Sequence, residues 1–266
     1  MAVSNRFAIQ RVFDIYLFDL TDGSSKGRMN KLKETNFTNE QTTVYADGGA
    51  GNPHIVGFDH SKMARIEASD AIYNLPTMGV QLGTTPVTGA NTDFVYEDKI
   101  YVATNAALTT YTALGTVGSE IKFVYELNTD GSLGTSYTQG AVVSSGVFTY
   151  TPGSKTITFD AAEIADDTQI IVYYNCTTDA TTKTLTNYTN VFSEHVKMVA
   201  NGLVKDICTK EDYLCEIIFY NAKVSGNFDM ALAADGEVAT QNISFEALSS
   251  CSSDKLWDII IADTLT

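Results

Sequence analysis

Residues 121–127, IKFVYEL, alternate with a period of two: Ile121, Phe123, Tyr125 and Leu127 against Lys122, Val124 and Glu126. Successive side chains of an extended chain point to opposite faces, so this is the pattern of a half-buried β-strand. It runs into Asn128-Thr129-Asp130-Gly131, a hairpin-type turn. The texture recurs on the C-terminal side. GVFTYTP at 146–152 passes through Pro152-Gly153 into KTITFD at 155–160, and QIIVYYN follows at 169–175. Short strands and turns at this spacing across 93–190 predict an immunoglobulin-like sandwich or part of a barrel. The Cys…Trp…Cys signature of antibody domains is absent.

Towards the N-terminus, residues 13–20 (FDIYLFDL) read as a strand ending in the turn Thr21-Asp22-Gly23-Ser24. About forty polar residues follow, too many for an ordinary connection, and such length points to function or to disorder. Within it Lys26, Arg28, Lys31 and Lys33 precede the first acid, Glu34. They form either a solvated basic loop or an arm that docks on the acidic remainder of a neighbouring copy. Gly48, Gly49 and Gly51 run into Asn52-Pro53, a turn; a phosphate loop would need a lysine and a hydroxyl opening a helix there. Residues 64–68 read as a short strand, and Ser69 or Asp70 is expected to cap a short helix over 71–75, stopped by Pro76.

Towards the C-terminus, alternation predicts strands at 204–207, 215–220, 228–232 and 241–247, with a turn at Asp235-Gly236. The last strand carries Trp257, Ile259, Ile260 and Ile261, and is expected to be buried in the core or against another copy.

Composition narrows the function. The chain has 266 residues, 44% of them hydrophobic, which fits a globular fold rather than a disordered one. Seventeen basic and 32 acidic side chains give a net charge of −15, which argues against a surface that grips nucleic acid. The charge is uneven: residues 1–65 hold 8 bases and 7 acids, residues 66–266 hold 9 and 25. Arg6, Arg11, Asp14 and Asp19 interrupt any apolar leader, and no run of about 18 apolar residues offers a membrane span. A soluble chain, made in the cytoplasm, is the expectation.

No catalytic, cofactor-binding or metal-binding residues are expected. His54, His60 and His195 have no ligand spacing, and Cys176, Cys208, Cys215 and Cys251 form no C-x-x-C pair, so they read as free thiols. H-E-x-x-H and G-x-S-x-G are absent, NTDGS and AADGE lack the full calcium-loop frame, and the N-x-[ST] sequons at Asn36, Asn175, Asn187 and Asn242 carry no weight without a secretory signal.

Two segments, GGAGNPHIVGFDHSKMARIEASDAIYNLP at 48–76 and IIFYNAKVSGNFDMALAADGEVATQNISFEAL at 217–248, resemble the major tail (tube) proteins of long-tailed phages, in the longer version from phages of Gram-positive hosts. TNYTNVFSEHVKMVANGLVKDI at 186–207 closes a middle segment that resembles the β-rich elaboration such proteins carry. The resemblance implies two antiparallel sheets packed as a barrel-like sandwich with a short flanking helix, residues 1–93 and 191–266 forming the tube domain and 94–190 an insertion. It further implies hexameric rings stacked into a hollow conduit in the virion tail, with the loop 21–44 reaching the adjacent ring. The partners would be other copies of the chain, head-to-tail and side by side, together with tape-measure, terminator and baseplate or tip proteins. Viral DNA would pass through the lumen without specific binding.

The charges point the same way independently: a basic arm and an acidic body make heterologous contacts, and such contacts build filaments when they do not close. The alternatives are a decoration or fibre protein, or a carbohydrate-binding β-sandwich using the many tyrosines and Trp257 as a stacking platform.

Overall fold

The computed structural model describes residues 6–9, 11, 13–161, 163–230, 239–250 and 253–262. The chain is mainly β and splits into two compact units, residues 1–86 with 185–266, and residues 87–184.

The first unit opens with β1 (Phe7–Ile9), β2 (Asp14–Asp19) and β3 (Ser25–Met29). Between β2 and β3 the Asp19 carboxylate accepts from the Thr21 amide at 2.7 Å and Asp22 from that of Ser24 at 2.8 Å, while Gly23 supplies a φ of 71°. β4 (Leu32–Asp47) and β5 (His54–Asp70) then form one long antiparallel hairpin. Residues 21–44, expected as a loop, are therefore mostly strand. Their polarity is that of an edge strand exposed on one face and, further out, on both; Thr35, Thr38, Thr42, Thr43, Val44 and Tyr45 are good strand formers.

The helix is also displaced. α1 (Leu75–Leu82) begins where the expected helix was to stop, with Pro76 in its first turn, where a missing amide costs nothing and the fixed φ is already helical. It ends at Gly83 (φ 71°), where an added Cβ would lie 2.0 Å from the Phe192 carbonyl oxygen. A buried amide ladder ties α1 to the sheet. Gln241 donates to Gln81 at 3.0 Å, Gln81 donates to the Asn242 carbonyl at 3.1 Å, and the Gln241 oxygen accepts from the Asn74 amide and the Thr77 hydroxyl.

The second unit contains β6 (Val87–Thr88), β7 (Phe94–Tyr101), β8 (Ala106–Leu108), β9 (Ile121–Leu127), β10 (Leu133–Gln139), β11 (Val147–Thr151), β12 (Thr156–Thr158), β13 (Gln169–Cys176) and β14 (Lys183–Thr184). Seven strands run in the order β7-β13-β9-β10-β11-β12-β8, antiparallel except for β10 with β11, and β6 pairs with β14. The core holds Val124, Phe148, Ile157, Ile170, Val172 and Tyr174. Burial raises the pKa of the Tyr174 hydroxyl, which donates to Asp98 at 2.9 Å. In β9 the strict alternation breaks: Phe123 pairs with Tyr173 but Ile121 with Tyr174, so Lys122 is bulged. A one-residue bulge flips the faces, leaving Ile121 and Val124 buried and Phe123 outside.

The chain returns to the first unit through β15 (His195–Asp206), β16 (Asp212–Val224), β17 (Gln241–Ala247) and β18 (Trp257–Ala262). The sheet order is β3-β2-β15-β16-β17-β5-β4, with β1 also on β15 and β18 also on β16. β16 pairs with β18 over 214–219 and with β17 over 222–224, so the sheet forks there. Both branches share one core, including Ile15, Leu17, Ile66, Met198, Phe219, Ile243 and Phe245. Residues 225–230 are not strand, so the described part of the expected 228–232 strand is absent; Asp235-Gly236 and Cys251 lie outside the described residues.

Candidate assembly interface

The β4–β5 hairpin outruns the sheet that supports it. β17 pairs with β5 only over residues 65–70, whereas β4 and β5 pair from Leu32↔Asp70 to Asp47↔His54. Among the described residues, β5 has no second sheet neighbour over 54–64. A β-bulge interrupts the arm near the point where it leaves the sheet. Gln41 pairs with Lys62 but Thr42 with His60, so Ser61 is bulged, with φ at 53°. Past this bulge Val44↔Phe58 and Ala46↔Val56 face one way, and all four are exposed, Phe58 at 63%. The other face holds Thr43, whose hydroxyl donates to Asp59 at 2.7 Å, and Tyr45, stacked on His54 at 4.4 Å. His54 also bonds the Asp47 carboxylate. A two-stranded ribbon is marginal in water by itself, and this one leaves an apolar face uncovered.

The four expected basic contacts do not form one free patch. Lys26 lies 3.2 Å from Asp19 and 3.1 Å from Glu194. The Glu194 bond raises the lysine's pKa against the cost of burial. Asp19 is held below the usual carboxylate range, first by the Thr21 amide and then by Lys26. Arg28 pairs with Asp14 at 3.2 Å and lies over the Tyr16 ring. These pairings follow from the hairpin turn at 21–24, which folds β3 back on β2; a turn signal flanked by acids on one side and bases on the other was the available clue. Lys31 and Lys33 remain exposed with no ion pair among the described residues, Lys33 at a second bulge of β4.

The C-terminal strand is only partly buried. Ile261 and the Trp257 ring pack against the core; Trp257 meets Phe37 at 4.9 Å, and its indole nitrogen donates to Asn39 at 3.2 Å. A ring held in this way is a closure between β4 and β18, not an open platform. Ile259 is 42% and Ile260 45% exposed, so a core role does not describe them. The Lys255 ammonium and the Tyr220 hydroxyl hold the Asp258 pKa down.

On the outer side of β4, β5 and β17, registered rows run Glu34–Ser69–Asn242, Asn36–Glu67–Ser244 and Thr38–Arg65–Glu246. Every one of these side chains is polar, and the one cation, Arg65, is 3.6 Å from Glu67.

Among the described residues no group of three or more His, Cys, Asp or Glu is arranged to hold a metal ion, and no helix is long and apolar enough to cross a membrane. The projecting arm, polar face and forked β-sandwich are the features of a structural, self-associating subunit. The chain belongs to the YomU/Tube protein family, whose model matches residues 7–261, and is thus a structural protein of the phage tail tube. No curated protein matches it.

Proposed function

We propose that the chain closes side by side into rings, six copies to a ring, that stack head-to-tail into the hollow tail tube through which the genome leaves the particle. The exposed apolar face of the β4–β5 arm carries this reading, because only another copy's surface can cover Val44, Ala46, Val56 and Phe58 along a regular polymer. The edge of β18, which among the described residues pairs with β16 alone, supplies a means of lateral pairing. The β4–β5–β17 face, without an apolar side chain in its registered rows, suits a wet conduit wall: carboxylates repel phosphates and hydroxyls and amides leave nothing for bases to stick to. Lys31 and Lys33 are the cations left to guide one ring onto the acids of the next. Assembly takes place in the host cytoplasm, with tape-measure, terminator and baseplate or tip proteins as further partners.

Electron microscopy of the purified protein tests the reading. Hollow tubes of uniform width are expected from the wild type. Val44→Asp with Phe58→Asp is expected to leave rings or monomers with an unchanged unfolding midpoint. Persistent wild-type monomers, or variant tubes of normal length, would overturn it.

A further inference from the structure

The outer face of the β7–β13–β9 sheet has a different character from any face of the first unit. Its registered rows are Glu97–Tyr173–Phe123, then Lys99–Ile171–Tyr125, with Tyr101 opposite Gln169 beyond them. Phe123 is 54% and Tyr101 61% exposed, and Phe123 stacks beside Tyr125 at 6.4 Å and 27°. The Tyr173 hydroxyl donates to Glu97 at 2.7 Å, and Lys99 lies 3.2 Å from the same carboxylate, so polar groups are fixed between the rings. At the Tyr101 end the face opens into a cleft of about 820 Å³ lined by Tyr101, Asn128, Asp130, Asp167, Thr168 and Gln169. One exposed ring there meets carboxylates, amides and a hydroxyl; Asp130 is fixed by the Ser132 amide at 2.9 Å and hydroxyl at 2.6 Å.

We infer that this face binds neutral saccharides, with Tyr101 and the Phe123–Tyr125 pair as stacking platforms and the cleft polar groups as hydroxyl partners. A pyranose offers a flat array of C–H bonds with hydroxyls at its rim, which matches aromatic faces interleaved with hydrogen-bonding side chains. A protein partner would have to desolvate the Glu97–Lys99 pair and Gln169 in the middle of the contact. A polyanion is repelled, because residues 87–184 hold eleven acidic and four basic side chains, a net charge of −7. The inference is independent of tube assembly.

The test is binding of the labelled full-length chain to an array of neutral oligosaccharides that includes gluco-, galacto- and N-acetylglucosamine series. Wild type is expected to bind a subset, and Tyr101→Ala and Phe123→Ala each to lower that signal at least tenfold with unchanged circular dichroism. Absence of binding to any member, binding that survives both alanine variants, or binding confined to anionic polymers would overturn it. So would a loss of chain–chain association in the two variants with no change in glycan signal.

Discussion

Gln241 is the residue on which most buried polar groups converge, since its side chain serves Asn74, Thr77 and Gln81 at once. Gln241→Leu strands these groups away from water and is expected to cost about 1–3 kcal/mol in urea unfolding. Gly202→Ala should cost a similar ~1–3 kcal/mol, because the new Cβ would meet the buried Phe13 ring at 1.9 Å. The Asp19–Lys26 node makes stability pH-dependent at both ends. Asp19's lowered pKa gives stability that is complete above the unfolded value of 3.8 and is lost as pH falls through the folded value. Lys26's raised pKa gives stability complete below 10.5 and lost as pH rises through its folded value. Thermal unfolding against pH should therefore show Asp19→Asn making the acid decline shallower. Lys26→Met should make the alkaline decline shallower and spare most of Asp19's part of the acid one, because the Thr21 amide is the larger cause at Asp19. At this scale the sequence was misleading at Pro76. A proline ends a helix that precedes it and starts one that follows, and only Gln81 and Val80, packed against the sheet, decide between the two.

Among the elements, strands with buried residues were readable: 241–247 is β17 with those bounds, because burial of one face imposes the period, and 121–127 is β9 although the bulge at Lys122 breaks that period. β4 and β5 were not. Their outer halves bury neither face in this chain, so no period is written into them, and length alone suggested a loop. The bulges were illegible for a related reason: Lys122 and Ser61 are ordinary residues, and their unpaired state is imposed by the partner strand. The pairing of Lys26 and Arg28 is illegible in the charge spacing along the chain, because the partners Asp19, Asp14 and Glu194 are brought to them across strands. The arm yields its own expectation. Ser61→Gly relieves a left-handed backbone and should leave the unfolding midpoint unchanged or raised, whereas Ser61→Val should destabilise by about 1–2 kcal/mol.

For the whole molecule, charge and contact are divided between surfaces, which no single segment reveals. If Glu34, Glu67 and Glu246 line the conduit, their triple replacement by lysine should leave tubes intact and make them retain linear DNA, with retention falling steeply as salt rises in a filter-binding assay. Equal release from both kinds of tube would sink that assignment. The bulge at Ser61 has a consequence of another kind. In a stack joined through these arms, the angle at which each arm leaves its sheet is repeated at every level. A bulge adds local twist to its ribbon, so the backbone of one serine would set the rotation from ring to ring and hence the helical pitch of the entire tail. Deleting Ser61 would then wind a tube of altered screw from an otherwise unaltered brick.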